Sequence, residues 1–188
     1  MIGELNASHT YRWGGDEESA KPLNVGMLGC DYLLENGRYR IARILDGAPW
    51  DSEVRSPLRE SGLEIAQGTY LLAVNGTELD VAKDPWAAFQ GLGGKTVALT
   101  INTQPSLEGA RVVYVKTMLS EGRLRYLTGI EATRARVEKA SDGRIGYVYV
   151  PDTGRTRQND LVRQMRAQFK KQALQAAYPD ARVLRVPS

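Results

Sequence analysis

The sequence holds one cysteine and one histidine. A single cysteine, Cys30, excludes an internal disulfide and any zinc site built on cysteines. No metal and no cofactor are expected. Any Ser–His chemistry has to use His9, the sole imidazole. No apolar run approaches the roughly 18 residues that a membrane-spanning helix needs, so no membrane partner is expected. The start, Met1-Ile2-Gly3-Glu4-Leu5-Asn6, has no basic residues leading into an apolar stretch. It does not read as a secretory signal, and the cytoplasm is the expected compartment.

What is present suits a packed domain with flanks. Of 188 residues, 42% are hydrophobic and 25% charged, enough for a core and a solvated surface. The net charge of +3 is unevenly spread. Residues 134–188 carry 12 Lys/Arg and 5 Asp/Glu, which leaves −4 on residues 1–133. A basic end raises nucleic acid as a partner. It lacks interleaved aromatics, so a solvated helix face is the preferred reading and nucleic acid ranks last.

Three regions follow along the chain. Residues 1–25 are polar and glycine-rich and read as loop. From Val25 to Thr103 the pattern is β-rich. Met27–Leu34 reads as a strand, and Asn36-Gly37 as a hairpin turn, because both residues accept positive φ. Arg38–Leu45 alternates imperfectly, with Tyr39 and Ile41 on its apolar face. Ser56-Pro57 opens a short helix, Ser as cap and Pro in the first turn. Thr69–Val74 reads as a buried strand closed by a second turn, Asn75-Gly76. Asp84-Pro85 opens another short helix that ends at Gly91, and Lys95–Asn102 is a further strand. Beyond Gln104-Pro105-Ser106 the pattern gives a strand at Arg111–Val115, a helix at Ile130–Ala140, an apolar strand at Arg144–Val150 and an amphipathic helix at Gln158–Leu174. A strand followed by a helix suggests the opening of an α/β unit.

The strands begin with Gly26-Met27-Leu28-Gly29 and continue through two short helices to Asn102. This order resembles a PDZ domain, with the glycine-bounded segment in the place of the carboxylate-binding loop. A chain-end carboxylate needs successive backbone N–H groups, and glycine lets the backbone bend around it. The resemblance implies a peptide added as a strand beside Leu28–Leu34. It would touch Gly26, Met27, Leu28, Gly29, Cys30 and Tyr32, and reach Trp86 and Phe89 on the second short helix.

A second resemblance covers most of the chain. Glu4-Leu5-Asn6-Ala7-Ser8-His9-Thr10-Tyr11, followed by Gly14-Gly15, is similar to the catalytic-histidine segment of tricorn-like serine proteases. Gly143-Arg144-Ile145-Gly146-Tyr147-Val148-Tyr149-Val150-Pro151-Asp152 resembles a core strand of the same family. The resemblance implies that His9 is the general base and that Ser8 orients or tunes it. The family's nucleophilic serine lies in a Gly-Ser turn further downstream. None of the nine serines here sits in Gly-x-Ser-x-Gly. Cys30, the alternative nucleophile on paper, reads as a small buried hydrophobe.

The expected fold is α+β: a PDZ-like, partly open β-barrel with two short helices, followed by a strand–helix piece of an α/β peptidase core. The expected divisions are residues 1–25, resembling the catalytic-histidine region; 26–104, the PDZ domain; 105–174, the start of the peptidase core; and 175–188, a tail that departs from the family pattern and is expected to lack order. The expected function is binding of peptide C-termini or extended segments, without proteolysis by these residues alone. The alternatives are a peptidase completed by a partner chain and a purely structural PDZ module. Exposure of the apolar strand at 145–150 suggests self-association, so a homo-oligomer is expected.

Overall fold

The computed structural model describes residues 23–51, 53–150, 155–166, 168, 171, 173–177 and 183–185. Ser8, His9 and the segment that carries them lie outside these residues.

The first sheet is antiparallel. It holds β1 (Cys30–Glu35), β2 (Arg38–Ile44), β3 (Tyr70–Val74), β4 (Thr77–Glu78), β5 (Thr96–Asn102) and β6 (Arg111–Lys116), in the order β1-β2-β3-β5-β6 with β4 beside β3. Both Asn-Gly turns adopt the conformation that a tight hairpin demands. Asn36 and Gly37 stand at φ 52° and 68°, and Asn75 and Gly76 at 49° and 81°. The imperfect alternation in β2 has a physical cause. Asp31 pairs with Arg43 and Tyr32 with Ile41, so Ala42 is an extra residue. That bulge changes the phase, and Tyr39, Ile41 and Ile44 all reach the core despite their uneven spacing.

The sheet curls toward closure. Beyond β6, Met118 exchanges two backbone hydrogen bonds with Met27, just ahead of β1 (2.8 and 2.9 Å). The barrel is closed at that end and open along β1, as expected for a PDZ-like fold. Two short 3-10 helices plug it, Pro57–Arg59 and Pro85–Phe89, each with proline at its start and a side-chain cap from Ser56 or Asp84. Phe89, Leu28, Leu58, Leu71, Leu99 and Ile101 fill the interior and are almost wholly buried.

Arg111–Lys116, read in the sequence as the head of the next region, belongs to this sheet. It pairs with β5 along its whole length, from Thr96↔Lys116 to Ile101↔Arg111, and sends Val113 and Val115 into the core.

Helix α1 (Gly122–Ala140) follows and starts just over two turns before the expected helix at 130–140. Gly122 and Gly129 weaken the local helix signal. Glu121, the residue just before the helix, makes no side-chain cap to its first turn. Leu124, Leu127 and Ile130 are buried, and these tertiary contacts supply the stability that propensity lacks. Strand β7 (Ile145–Tyr149), helix α2 (Arg155–Arg166), β8 (Ala173–Ala177) and β9 (Val183–Arg185) then form a second sheet in the order β7-β8-β9. Strands β7 and β8 are parallel, the arrangement of a strand–helix–strand unit. Two expectations fail here. The helix ends at Arg166 rather than running to 174, and the tail contributes a strand, with Ala173 opposite Arg185. Ala173-Leu174-Gln175-Ala176-Ala177 has helical propensity, but pairing with β7 overrides it. Gln164 on α2 supports that strand: its side-chain amide both accepts from the Tyr149 N–H and donates to the Tyr149 carbonyl (3.0 and 3.1 Å).

Among the described residues no helix is long and apolar enough to cross a membrane, and no group of acidic, histidine or cysteine side chains is placed to hold a metal.

Candidate peptide-binding furrow

The segment Gly26–Gly29 is laced into the protein on every side. The Gly26 N–H donates to the Phe89 carbonyl and the Met27 N–H to the Met118 carbonyl, both at 2.9 Å. The Leu28 carbonyl accepts from the Ser56 hydroxyl at 2.8 Å, and the Gly29 carbonyl from the Leu45 N–H at 2.9 Å. The Gly29 N–H donates at 3.1 Å to a carboxylate oxygen of Glu121, a contact spanning 92 positions of sequence.

The glycines are needed because the protein's own atoms approach closely. Gly29 stands at φ +66°, and a Cβ there would lie 2.7 Å from Leu124 Cδ2. A Cβ on Gly26 would lie 3.0 Å from the Leu92 carbonyl oxygen and from Thr117.

β1 forms one wall of a furrow and the Pro85–Phe89 turn the other. The Tyr32 and Trp86 rings meet edge to face with centroids 5.1 Å apart, and Trp86 leans on Phe89 at 5.9 Å. Cys30 and Phe89 are fully buried beneath them. Burial pushes the Cys30 thiol up to about 12; the neighbouring Tyr32 hydroxyl opposes the shift, while the carboxylates of Glu121 and Asp31 add to it. Burial, with the neighbouring Cys30, likewise raises the Tyr32 phenol well above its ordinary range.

The register of β1 decides which of its backbone groups are available. A two-residue turn makes Glu35 and Arg38 a bonded pair. Alternation from there aims the N–H and C=O of Tyr32 and Leu34 away from β2, into the furrow. The Cys30 carbonyl also points outward and receives Arg125 Nη2 at 3.3 Å. Arg125 binds Asp31 and Glu121 as well, both at 2.7 Å. Burial would lower the guanidinium's pKa, but the two carboxylates outweigh it and raise it, so Arg125 stays charged.

Of the residues expected from the sequence, Cys30, Tyr32 and Trp86 line the furrow, Leu28 and Phe89 are fully buried, and Gly26, Met27 and Gly29 are held by the hydrogen bonds given above. The residues that sequence reasoning missed are Ser56, Glu121 and Arg125. Glu121 and Arg125 stand at helical i, i+4 spacing. That spacing could have announced an ion pair, but nothing local announces its contact with Gly29.

The strand order, the two capped turns and the furrow beside the free edge define a PDZ domain. Residues 26–120 match the family model of the tricorn protease PDZ domain. The chain is 33% identical over 175 residues to tricorn protease homolog 1 of Streptomyces coelicolor, an alignment covering 92% of this chain and 16% of that protein. It is 29% identical over 162 residues to the tricorn protease of Thermoplasma volcanium, covering 86% and 16%. A crystal structure of the tricorn protease superposes with a TM-score of 0.80 at 24% identity, over 93% of this chain and 17% of that one. The chain belongs to the tricorn protease PDZ domain family. It spans about a sixth of the length of the relatives it matches.

Proposed function

We propose that this chain is the PDZ-bearing part of a tricorn-like serine peptidase and that its furrow takes up extended peptide as an added strand along β1. The observation that carries the reading is the open edge of β1. No other strand pairs with it there among the described residues, and the backbone groups of Tyr32 and Leu34 face the furrow. Such an edge binds through main-chain hydrogen bonds, with side chains adding selectivity. Leu33 and Leu34 stand 39% and 55% exposed, an apolar border for a passing segment.

A Leu34→Pro variant tests this reading. Proline removes the outward N–H at 34 and is tolerated on an edge strand. The expected outcome is at least a tenfold loss of affinity for an N-acetylated, C-amidated valine-threonine peptide, with the cooperative melt retained. Unchanged affinity would contradict strand addition.

A sealing role within a larger peptidase is the second reading. It is favoured by the carboxylate-loop N–H groups of Gly26, Met27 and Gly29 all donating within the chain. Proteolysis is proposed only for the larger assembly, with His9 as general base, Ser8 as its orienting neighbour and the nucleophile supplied from elsewhere. The purified chain is expected to leave fluorogenic peptides uncut. Turnover that vanishes in His9→Ala would refute that division of labour.

A further inference from the structure

We infer that Glu121 is the resident occupant of the chain-end site: its side-chain carboxylate sits where a peptide's terminal carboxylate would bind, and it keeps free C-termini out of the furrow. The inference deepens the strand-addition reading by naming the kind of segment admitted, and it rests on that reading for the site's use.

The contacts of Glu121 are those a terminal carboxylate would seek. One oxygen accepts from the Gly29 N–H at 3.1 Å and the other from Arg125 Nε at 2.7 Å. A backbone amide at a glycine-bent turn, paired with a guanidinium, is a recognised carboxylate receptor. The side chain is 11% exposed, so it is seated within the protein. Glu121 is the residue immediately before α1, yet it makes no capping bond to the helix, whose Gly122 N–H turns to the Ser120 hydroxyl instead. The carboxylate is therefore committed to the loop and to Arg125.

An arriving C-terminus meets three obstacles. The Gly26 and Met27 N–H groups are engaged by Phe89 and Met118, so neither can take over from the Gly29 donor. Asp31 and Glu121 bring two negative charges against the single positive charge of Arg125, so a third carboxylate is repelled. Arg125 also holds the Cys30 carbonyl, the innermost outward group of β1. The part left open is Tyr32–Leu34, which accepts a segment that lies along the edge and leaves before the loop.

Removing Glu121 should reverse the preference. Arg125 would remain, and a terminal carboxylate would replace the lost one charge for charge. The test uses the whole chain and one N-acetylated valine-threonine octapeptide ending in valine, prepared as free acid and as C-terminal amide. Wild-type protein is expected to bind the two within twofold of each other. Glu121→Ala is expected to favour the acid about tenfold or more. An acid preference in wild type, or none in Glu121→Ala, overturns the inference. Failure of the amide form to bind wild type overturns the strand-addition reading instead, and the acid result in Glu121→Ala still decides the role of Glu121. Should that variant not fold, hydrogen exchange in wild type decides. Slow exchange of the Gly29 amide supports occupation by Glu121, and exchange at the rate of an unstructured chain overturns it.

Discussion

Leu124, in the first turn of α1, packs its Cδ2 over Gly29, so close that a Cβ at residue 29 would stand 2.7 Å away. This contact ties the helix after the PDZ sheet to the loop that opens the furrow. Leu124 is fully buried, and the Ser56 backbone Cα also stands 3.1 Å from that Cβ position. Gly29→Ala combines that overlap with a φ of +66°, which L side chains adopt at a cost. Together these should destabilise the fold by roughly 2–4 kcal/mol, measured by urea unfolding. A loss below about 0.5 kcal/mol would mean that α1 does not press on the loop.

Ser56 holds two structures at once. Its hydroxyl donates to the Leu28 carbonyl at 2.8 Å and accepts from the Leu58 N–H at 3.2 Å, capping the first 3-10 turn. It is 1% exposed, so neither partner can turn to water when it is removed. Ser56→Ala should cost roughly 2–3 kcal/mol, the sum of a lost cap and a stranded buried carbonyl. Ser56→Thr retains the hydroxyl and should recover part of the loss. Equal stability of the Ala variant and wild type would refute the double role.

The Cys30 thiol should be inert in the folded protein. Its pKa is raised from 9.0 to about 12, chiefly by burial. Iodoacetamide at about pH 8 is expected to leave it unmodified until denaturant is added. The same shift governs alkaline stability. The folded state favours the protonated thiol, so this contribution is intact below pH 9.0 and is lost as pH climbs toward about 12. Tyr32, also raised by burial, acts in the same direction. Cys30→Ala should flatten the fall in unfolding free energy between about pH 9 and pH 11. Rapid labelling of the native protein would show that the wall of the furrow is open at Cys30.

The local code of the PDZ sheet was plainly legible. Both Asn-Gly turns, the Ser56-Pro57 and Asp84-Pro85 turn starts and the strand over Thr69–Val74 each rest on chemistry contained within a few residues, and they stand where expected. Elements that depend on distant partners were harder to read. The bulge at Ala42 blurred the alternation of β2. Strand β6 looked like the start of something new, because nothing within Arg111–Lys116 says that it pairs with β5. Helix α1 is held by the burial of Leu124, Leu127 and Ile130 more than by its own glycine-containing sequence. The furrow followed the same division. Gly26–Gly29, Tyr32 and Trp86 were singled out through the resemblance to a PDZ domain, whereas Glu121 reaches Gly29 through a contact that only the folded chain creates.

The most direct test of the account is amide mapping by NMR while an N-acetylated, C-amidated extended peptide is titrated into the whole chain. The register of β1 predicts that the Tyr32 and Leu34 amides shift and become protected from exchange, while the Leu33 amide, which faces β2, changes little. Shifts confined to other surfaces, or saturation of binding with the Tyr32 and Leu34 amides unmoved, would contradict it.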